Sequence, residues 1–305
     1  MVLTTPMFTA IKRRYPEVEL HVLASPKSFA VVQDDPRIDR IFLYEKKLVS
    51  LLSLVYRLRR ERYDYWIDPK DHRSREGALL ARLSDARTKI GWNPVAGKVF
   101  DVGIPSDKEN FSLHAIERNI QALFALDIKS IEKSDLRLYC NAEADSYVLE
   151  QIKGIAKRKA IINISAGDDS RRWSIEKWRG VCSFCESADF SPIITFHPHD
   201  EEAAKSIHDG CNDSTLFYSR TIKDIVGLMK HAQLVISPDT SIIHIAGAFN
   251  IPTVGLYPRV EWNLNKFKPS SDLYEVVLPD EGRSFDDITL ESVSSKIEMI
   301  LATMR

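Results

Sequence analysis

Residues Gln233 to Pro258 read QLVISPDTSIIHIAGAFNIPTVGLYP, a complete βαβ unit on which the reading of the whole chain turns. Leu234-Val235-Ile236 is a short apolar run of strand type and Thr253 to Tyr257 is another. Between them Ile242, Ile243, Ile245, Ala246 and Phe249 recur at helical spacing. The turn Ser237-Pro238-Asp239-Thr240-Ser241 leads from strand to helix. Such a turn offers unpaired backbone N–H groups and the positive end of the helix dipole, and both favour an anion such as a diphosphate. Asp239 is expected to cap the helix or to bind a ligand hydroxyl. Thr240 and Ser241 add donors, and His244 lies one turn inside the helix. The same residues would also serve as an ordinary helix cap, since Asp, Ser and Thr are favoured there in any αβ protein.

Working outward, strands and helices alternate twice over. In the first half, 18 to 24, 38 to 44 and 63 to 68 read as strands, and 5 to 14, 48 to 62, 72 to 84 and 111 to 126 as helices. In the second half, 160 to 165, 192 to 197, 215 to 219, 233 to 237 and 253 to 257 are strands with helices between them. Alternation of this kind implies parallel sheets covered on both faces. The expected class is α/β, with two doubly wound Rossmann-like domains over 1–150 and 151–305, and the C-terminal helix packing back on the first. Open α/β sheets bind ligands beyond the carboxyl ends of their strands, so a cleft between the domains is the expected site.

The 305 residues exceed the size at which a single hydrophobic core stops growing. An apolar fraction of 44% and a charged fraction of 28% are globular values. A net charge of −1 argues against a general nucleic-acid binder. No apolar run approaches the roughly 18 to 20 residues of a membrane span, and MVLTTPMF lacks a charged leader, so a cytoplasmic protein is expected. Four cysteines are too few for a disulfide framework. Cys182-x-x-Cys185 has the spacing of a metal or redox pair, but it lies in an amphipathic helix without a second ligand pair, so buried free thiols are expected.

Three further segments carry charge where a ligand would need it. Ser165-Ala166-Gly167 follows a strand and leads into Asp168-Asp169-Ser170-Arg171-Arg172-Trp173, and Arg171 can pair with a diphosphate through parallel hydrogen bonds. His197-Pro198-His199-Asp200-Glu201-Glu202 ends a strand and opens a helix, where carboxylates are also common for dipole reasons alone. From Lys46 to Lys89 there are twelve Lys or Arg against six Asp or Glu, including Lys70-Asp71-His72-Arg73-Ser74-Arg75. That excess makes a field for an anion. The helix LVSLLSLVYRLRRERY sets leucines beside four arginines; it reads as a sheet-covering helix with a basic outer face, and alternatively as one resting on an anionic membrane.

Asp239-Thr240 with His244-Ile245-Ala246, then Pro252 and a short apolar strand, resembles the signature of glycosyltransferase family 9, the bacterial ADP-heptose:lipopolysaccharide heptosyltransferases. The family has Gly where this chain has Ser241, which keeps the backbone donors and narrows the room beside the phosphates. The loop after Ser165 resembles the family's K-x-W-P pattern, with Arg171 at the lysine and Ser174 at the proline. The likeness extends over nearly all of the chain and is stronger in the second half. It implies a GT-B fold, an acceptor-binding first domain and a nucleotide-sugar-binding second domain facing a central cleft. It implies inverting transfer, with Asp239 orienting the donor sugar and Arg171 with the N–H groups of Thr240 and Ser241 stabilising the leaving diphosphate. Ser165, Gly167, Asp200, Glu201 and His244 complete the implied donor site, with an acidic residue at the ribose. Thr4, Thr5, Lys70, His72, Arg73 and Arg75 are the implied acceptor residues, and His114 is structural. The partners implied are ADP-heptose and a lipopolysaccharide-core acceptor, with peripheral contact at the inner membrane; no cofactor and no metal are called for. The family's general base is the aspartate of a Gly-Asp pair ahead of the Val2-Leu3-Thr4-Thr5-Pro6 segment, so a start one strand upstream of Met1 is expected. The alternatives are a non-catalytic nucleotide-sugar-binding protein and transfer from another nucleotide sugar.

Overall fold

The computed structural model describes residues 1–93, 98–132 and 135–304, with the side chains of all of these except 48 and 49. The chain divides into two compact units between Arg137 and Leu138, about a helix earlier than the boundary near 150. The reason is α6 (Ala142–Gln151), which is fastened to α9 (Ile222–Met229) and its flanks in the second unit. Lys230 Nζ lies 2.8 Å from both carboxylate oxygens of Asp145, Tyr147 donates to the Tyr218 carbonyl at 2.6 Å, and Arg220 stacks 3.9 Å from the Tyr147 ring.

The second unit is one parallel sheet of six strands. Its strands are β6 (Arg158–Asn163), β7 (Phe190–Thr195), β8 (Thr215–Phe217), β9 (Leu234–Pro238), β10 (Thr253–Leu256) and β11 (Tyr274–Val277). The order is β11-β10-β9-β6-β7-β8. Helices α7 (Ile175–Ser187), α8 (Glu201–Asp209), α10 (Ser241–Ala248) and α12 (Leu290–Thr303) are interleaved with the strands. Helix α12 packs against β11, β10 and α7 of its own unit, burying Val293, Ile297 and Ile300. The inner strands are buried on both faces, which is why Ile161, Ile162, Ile193, Ile194, Val235 and Ile236 read as continuous apolar runs. Each such side chain contributes about 1.5–3 kcal/mol relative to exposure. From β6 the chain winds outward through β7 and β8, then crosses to β9 on the other side. The switch point therefore lies between β6 and β9, where a crevice opens at the carboxyl ends of the strands.

The first unit contains α1 (Thr5–Arg14), α2 (Pro26–Val32), α3 (Leu48–Glu61), α4 (Arg75–Leu83) and α5 (Ala115–Ile120). Its strands form two parallel sheets rather than one. Strand β1 (His21–Ala24) pairs with β2 (Arg40–Leu43), while β3 (Tyr65–Ile67) pairs with β4 (Thr88–Gly91) and β4 with β5 (Val102–Gly103). Val22 and Ala24 of one sheet share an apolar cluster with Ile90 of the other, so the halves have a common core without a ladder between them. Among the described residues neither β1 nor β3 has a strand on its second edge.

A buried ion pair from α5 ties the loop after β3 to the loop that precedes α5. Arg118 Nη1 donates to Asp71 Oδ2 at 2.9 Å, and both side chains are 4% exposed. The same guanidinium donates to the carbonyls of Leu113 and Phe111. Removing one partner of such a pair leaves a buried charge uncompensated. Arg118→Met is expected to cost about 3–5 kcal/mol of unfolding free energy, and Arg118→Met with Asp71→Leu should recover part of the loss. Guanidinium denaturation of the three proteins measures it; a single variant as stable as the parent would show that the pair does not hold the loops.

Candidate functional site

At the carboxyl end of β6, Asn163 sends its side-chain amide toward three oxygens: the Ser165 carbonyl at 3.0 Å, Ser237 Oγ at 2.9 Å and Thr240 Oγ1 at 3.3 Å. One buried amide thus joins the loop after β6 to the turn after β9. Thr240, not Asp239, caps α10, its hydroxyl accepting from the Ile242 N–H at 3.3 Å. Asp239 is drawn the other way. Its N–H is held by the Leu256 carbonyl at 2.9 Å, and its carboxylate turns toward Arg171. The N–H groups of Thr240 and Ser241 meet no acceptor among the described residues, and Ser241 is exposed. The end of the helix whose dipole favours an anion is therefore open.

Arg171 closes one side of this opening from the 3-10 turn Asp169–Arg171. Its Nη1 donates to the Asp239 carbonyl at 2.9 Å and to Asp239 Oδ2 at 3.0 Å. Nη2 lies toward Gly167, where an added Cβ would come within 3.7 Å of it. Asp239 is 7% exposed, and burial pushes its carboxyl above the ordinary aspartate range against the pull of the Asn263 amide and the Arg171 guanidinium. The turn is anchored behind by Trp173, whose indole donates to the Ile288 carbonyl at 2.9 Å and stands edge-on to Trp178 at 4.9 Å.

A second buried carboxylate lies on the β7 side. Ser165 donates to Asp200 Oδ2 at 2.5 Å and accepts from the His197 N–H at 2.7 Å, so the loops after β6 and β7 are locked together. Arg172 Nη1 lies 2.8 Å from Asp200 Oδ1, and His199 Nε2 3.4 Å from Oδ2. Ser165, Gly167, Arg171, Asp200, Asp239, Thr240 and Ser241 thus gather at the switch point. His244 is buried on α10, its ring 6.0 Å from that of Phe267. Glu201 stands apart, paired with Lys205 on the surface of α8 at 2.7 Å. Asn163, Arg172 and Asn263 were not singled out from the sequence. Asn163 had a signal, a lone amide closing an apolar strand; Asn263 had none, because its contact is made across the fold.

In the first unit Lys70, His72, Arg73 and Arg75 are exposed around the loop after β3. Lys70 Nζ reaches Ser74 Oγ at 3.4 Å, and His72 Nδ1 lies 3.2 Å from Asp71 Oδ1. Thr4 occupies the N-cap position of α1 without a side-chain cap bond, and Thr5 is buried in the core. His114 caps α5 in a reciprocal box with Glu117, a structural role. Cys182 and Cys185 are buried free thiols, burial pushing Cys185 up to about 12, and no group of three metal-ligating side chains occurs among the described residues.

Against known proteins, residues 51–289 match the family model for glycosyltransferase family 9 (heptosyltransferase). Lipopolysaccharide heptosyltransferase 3 of Escherichia coli is 25% identical over 280 residues, 84% of this chain and 79% of that protein. Lipopolysaccharide heptosyltransferase 1 of the K12 strain is 23% identical over 206 residues, covering 66% of this chain and 62% of its own length. Among solved structures, a family 9 glycosyltransferase from Veillonella parvula superposes with a TM-score of 0.86 at 17% identity, covering 99% of this chain and 94% of that one. E. coli ADP-heptose lipopolysaccharide heptosyltransferase II gives 0.79 at 18% identity, over 100% and 96%. E. coli heptosyltransferase WaaC with ADP gives 0.77 at 18%, over 98% and 95%. The α/β architecture is that of these GT-B enzymes, and with the family model matched over most of its length the chain belongs to glycosyltransferase family 9, the heptosyltransferases.

Proposed function

We propose that the protein transfers heptose from ADP-heptose to a lipopolysaccharide-core acceptor, with inversion. The observation that carries this reading is the open end of α10 beside the Arg171–Asp239 pair at the β6/β9 switch point. An acceptor hydroxyl attacks the anomeric carbon, a new C–O bond forms as the bond to the diphosphate breaks, and ADP leaves while the hydroxyl proton passes to a base. The N–H groups of Thr240 and Ser241 and the Arg171 guanidinium face the charge that grows on the leaving diphosphate. Fixed donors aimed at developing charge lower the barrier without reorganising. Asp239 orients the donor sugar, Asp200 takes a ribose hydroxyl, and Ser165 and Gly167 leave room for the phosphates. Lys70, Arg73 and Arg75 supply the positive field for a phosphorylated acceptor, with His72 beside them as a further contact. WaaC solved with ADP and with ADP-2-deoxy-2-fluoro heptose supports the choice of donor.

Arg171→Ala is expected to weaken ADP and ADP-heptose binding alike, and Asp239→Ala to weaken chiefly the binding of ADP-heptose. Loss of a charge-assisted contact costs about 1.5–3 kcal/mol, on the order of tenfold to a hundredfold in affinity. Calorimetry with ADP, ADP-heptose and UDP, together with acceptor-dependent release of ADP, measures both binding and turnover. Preference for UDP would favour a different nucleotide sugar, and tight ADP-heptose binding without acceptor-dependent release would favour the binding protein. Unchanged affinity in the Arg171 variant removes that residue from the site.

A surface on α3 favours peripheral contact with an anionic membrane. Leu54 and Leu58 are buried against Phe42 and Leu80, while Leu52 and Tyr56 are 67% and 64% exposed. With Val55, Arg59, Arg60 and Arg62 they line an open concavity of about 660 Å³. Apolar side chains ringed by arginines suit an acidic headgroup layer, where each cation contributes about 1 kcal/mol. No helix among the described residues is long and apolar enough to cross a membrane. Co-sedimentation should show binding to phosphatidylglycerol vesicles and none to phosphatidylcholine alone. Arg60→Ala should weaken it roughly fivefold, the equivalent of about 1 kcal/mol, and Leu52→Glu should reduce it further. Binding indifferent to lipid charge and to both substitutions would exclude this face.

A further inference from the structure

Arg171 is not the only side chain that aims Asp239. Asn263 on α11 (Glu261–Phe267) donates from Nδ2 to Asp239 Oδ2 at 2.8 Å, the same oxygen that accepts from Arg171 Nη1 at 3.0 Å. Two donors from elements nearly a hundred residues apart converge on one carboxylate oxygen. Oδ1 accepts from no described group. The placement of α11 is itself fixed. Tyr257, wholly buried just after β10, donates its hydroxyl to the Phe267 carbonyl at 2.7 Å and so pins the end of that helix. Room for the Tyr257 ring exists because residue 255 is glycine: an added Cβ there would come within 2.5 Å of the ring and 3.2 Å of Ile243.

We propose that Asn263 is a positioning residue of the donor site: with Arg171 it fixes the Asp239 carboxylate through Oδ2 and thereby presents Oδ1 to a hydroxyl of the bound sugar. The inference rests on the proposed function for the identity of the sugar, but not for the arrangement itself. A carboxylate held on one oxygen by two donors cannot rotate without breaking both, and a fixed acceptor binds a hydroxyl at a smaller entropic cost than a free one. Among the charged and titratable groups about Asp239 are Arg171 from the 3-10 turn and Tyr257 from the end of β10, whose hydroxyl is held protonated first by burial and then by the Asp239 charge. The amide of Asn263 is the neutral third. It favours the ionised carboxylate against its burial, as Arg171 does.

Two readouts separate this inference from the reading it rests on. The first needs no ligand: with aspartate labelled at the carboxyl carbon, and the Asp239 signal identified by its loss in Asp239→Asn, the carboxyl is titrated by NMR in the parent, Asn263→Leu and Asn263→Ala. Both variants should titrate at higher pH than the parent, because an interaction that favours the ionised form has been removed. Thermal unfolding checks that both are folded, and the alanine variant guards against misfit of the leucine. The second readout is affinity. ADP-heptose binding should weaken roughly tenfold in the variants, a step of about 1.4 kcal/mol, with the loss shrinking as pH rises, whereas ADP without the sugar should lose much less. An unchanged Asp239 titration in both folded variants overturns the proposal, and equal losses for ADP and ADP-heptose overturn the assignment of Oδ1 to the sugar. Failure of the parent to bind either nucleotide defeats the proposed function instead, while the titration still decides the role of Asn263.

Discussion

The crevice of the second unit depends on the buried amide of Asn163. Its two hydrogens are shared among oxygens of Ser165, Ser237 and Thr240, on the strand ends that flank the topological switch. Leaving such an amide unpaired in the interior costs about 1–3 kcal/mol, so the two loops are held at a fixed separation by the penalty for moving apart. Ser237 passes the constraint on, donating to the Pro238 carbonyl at 2.8 Å and lying 3.2 Å from the Thr240 hydroxyl. Thr240 in turn caps α10. The orientation of the N-terminal end of α10 is thus set from β6, on the neighbouring strand, and not by α10 alone.

The segment Arg171-Arg172-Trp173 distributes three strong side chains in three directions. Arg171 goes to Asp239 and Arg172 to Asp200, while Trp173 is buried against Trp178. Both carboxylates are nearly buried, at 7% and 4% exposure, and an uncompensated buried charge is costly. Neighbouring arginines therefore stabilise two acidic groups in one crevice. A diphosphate entering there need not displace the Arg171–Asp239 pair, because Nη1 is committed to Asp239 while Nη2 faces the loop at Gly167. In the proposed donor site the planar guanidinium would serve both at once, which an ammonium could not do with the same geometry.

Much of this was legible in the residues themselves. The Asp239-Thr240-Ser241 turn and the strands around it follow from apolar runs bounded by turn residues, and the structure places β9, α10 and β10 there. What escaped were elements with little local signal. Thr88–Gly91 and Val102–Gly103 are too short and too polar to read as strands, and Tyr274–Val277 is half-buried with a glutamate inside it. From sequence alone Asp239 is expected to cap α10 or to bind a hydroxyl; Thr240 caps it instead, because the Arg171 and Asn263 donors claim the aspartate. Asn263 could not be found from the chain, since its position depends on Tyr257 gripping Phe267 in the space left by Gly255.

In the first unit the exposed cations stand on a loop that is better held than its polarity suggests. At its start, Asp68 accepts from the Lys70 N–H at 3.2 Å; at its end, Ser74 caps α4 by accepting from the Gly77 N–H at 3.0 Å. At Gly77 an added Cβ would meet the Asp68 carboxylate lying against the first turn of the helix, so a side chain there would have to displace it. That carboxylate also complements the dipole of α4. In the middle, Asp71 is buried and clamped by Arg118, so this carboxylate is a poor candidate for a base that must reach a hydroxyl from solvent. Three acidic or hydroxyl anchors thus hold the backbone while Lys70, Arg73 and Arg75 point outward into solvent. The entropy of the backbone is lost on folding rather than on binding, and a phosphorylated partner meeting this loop has only side chains to order.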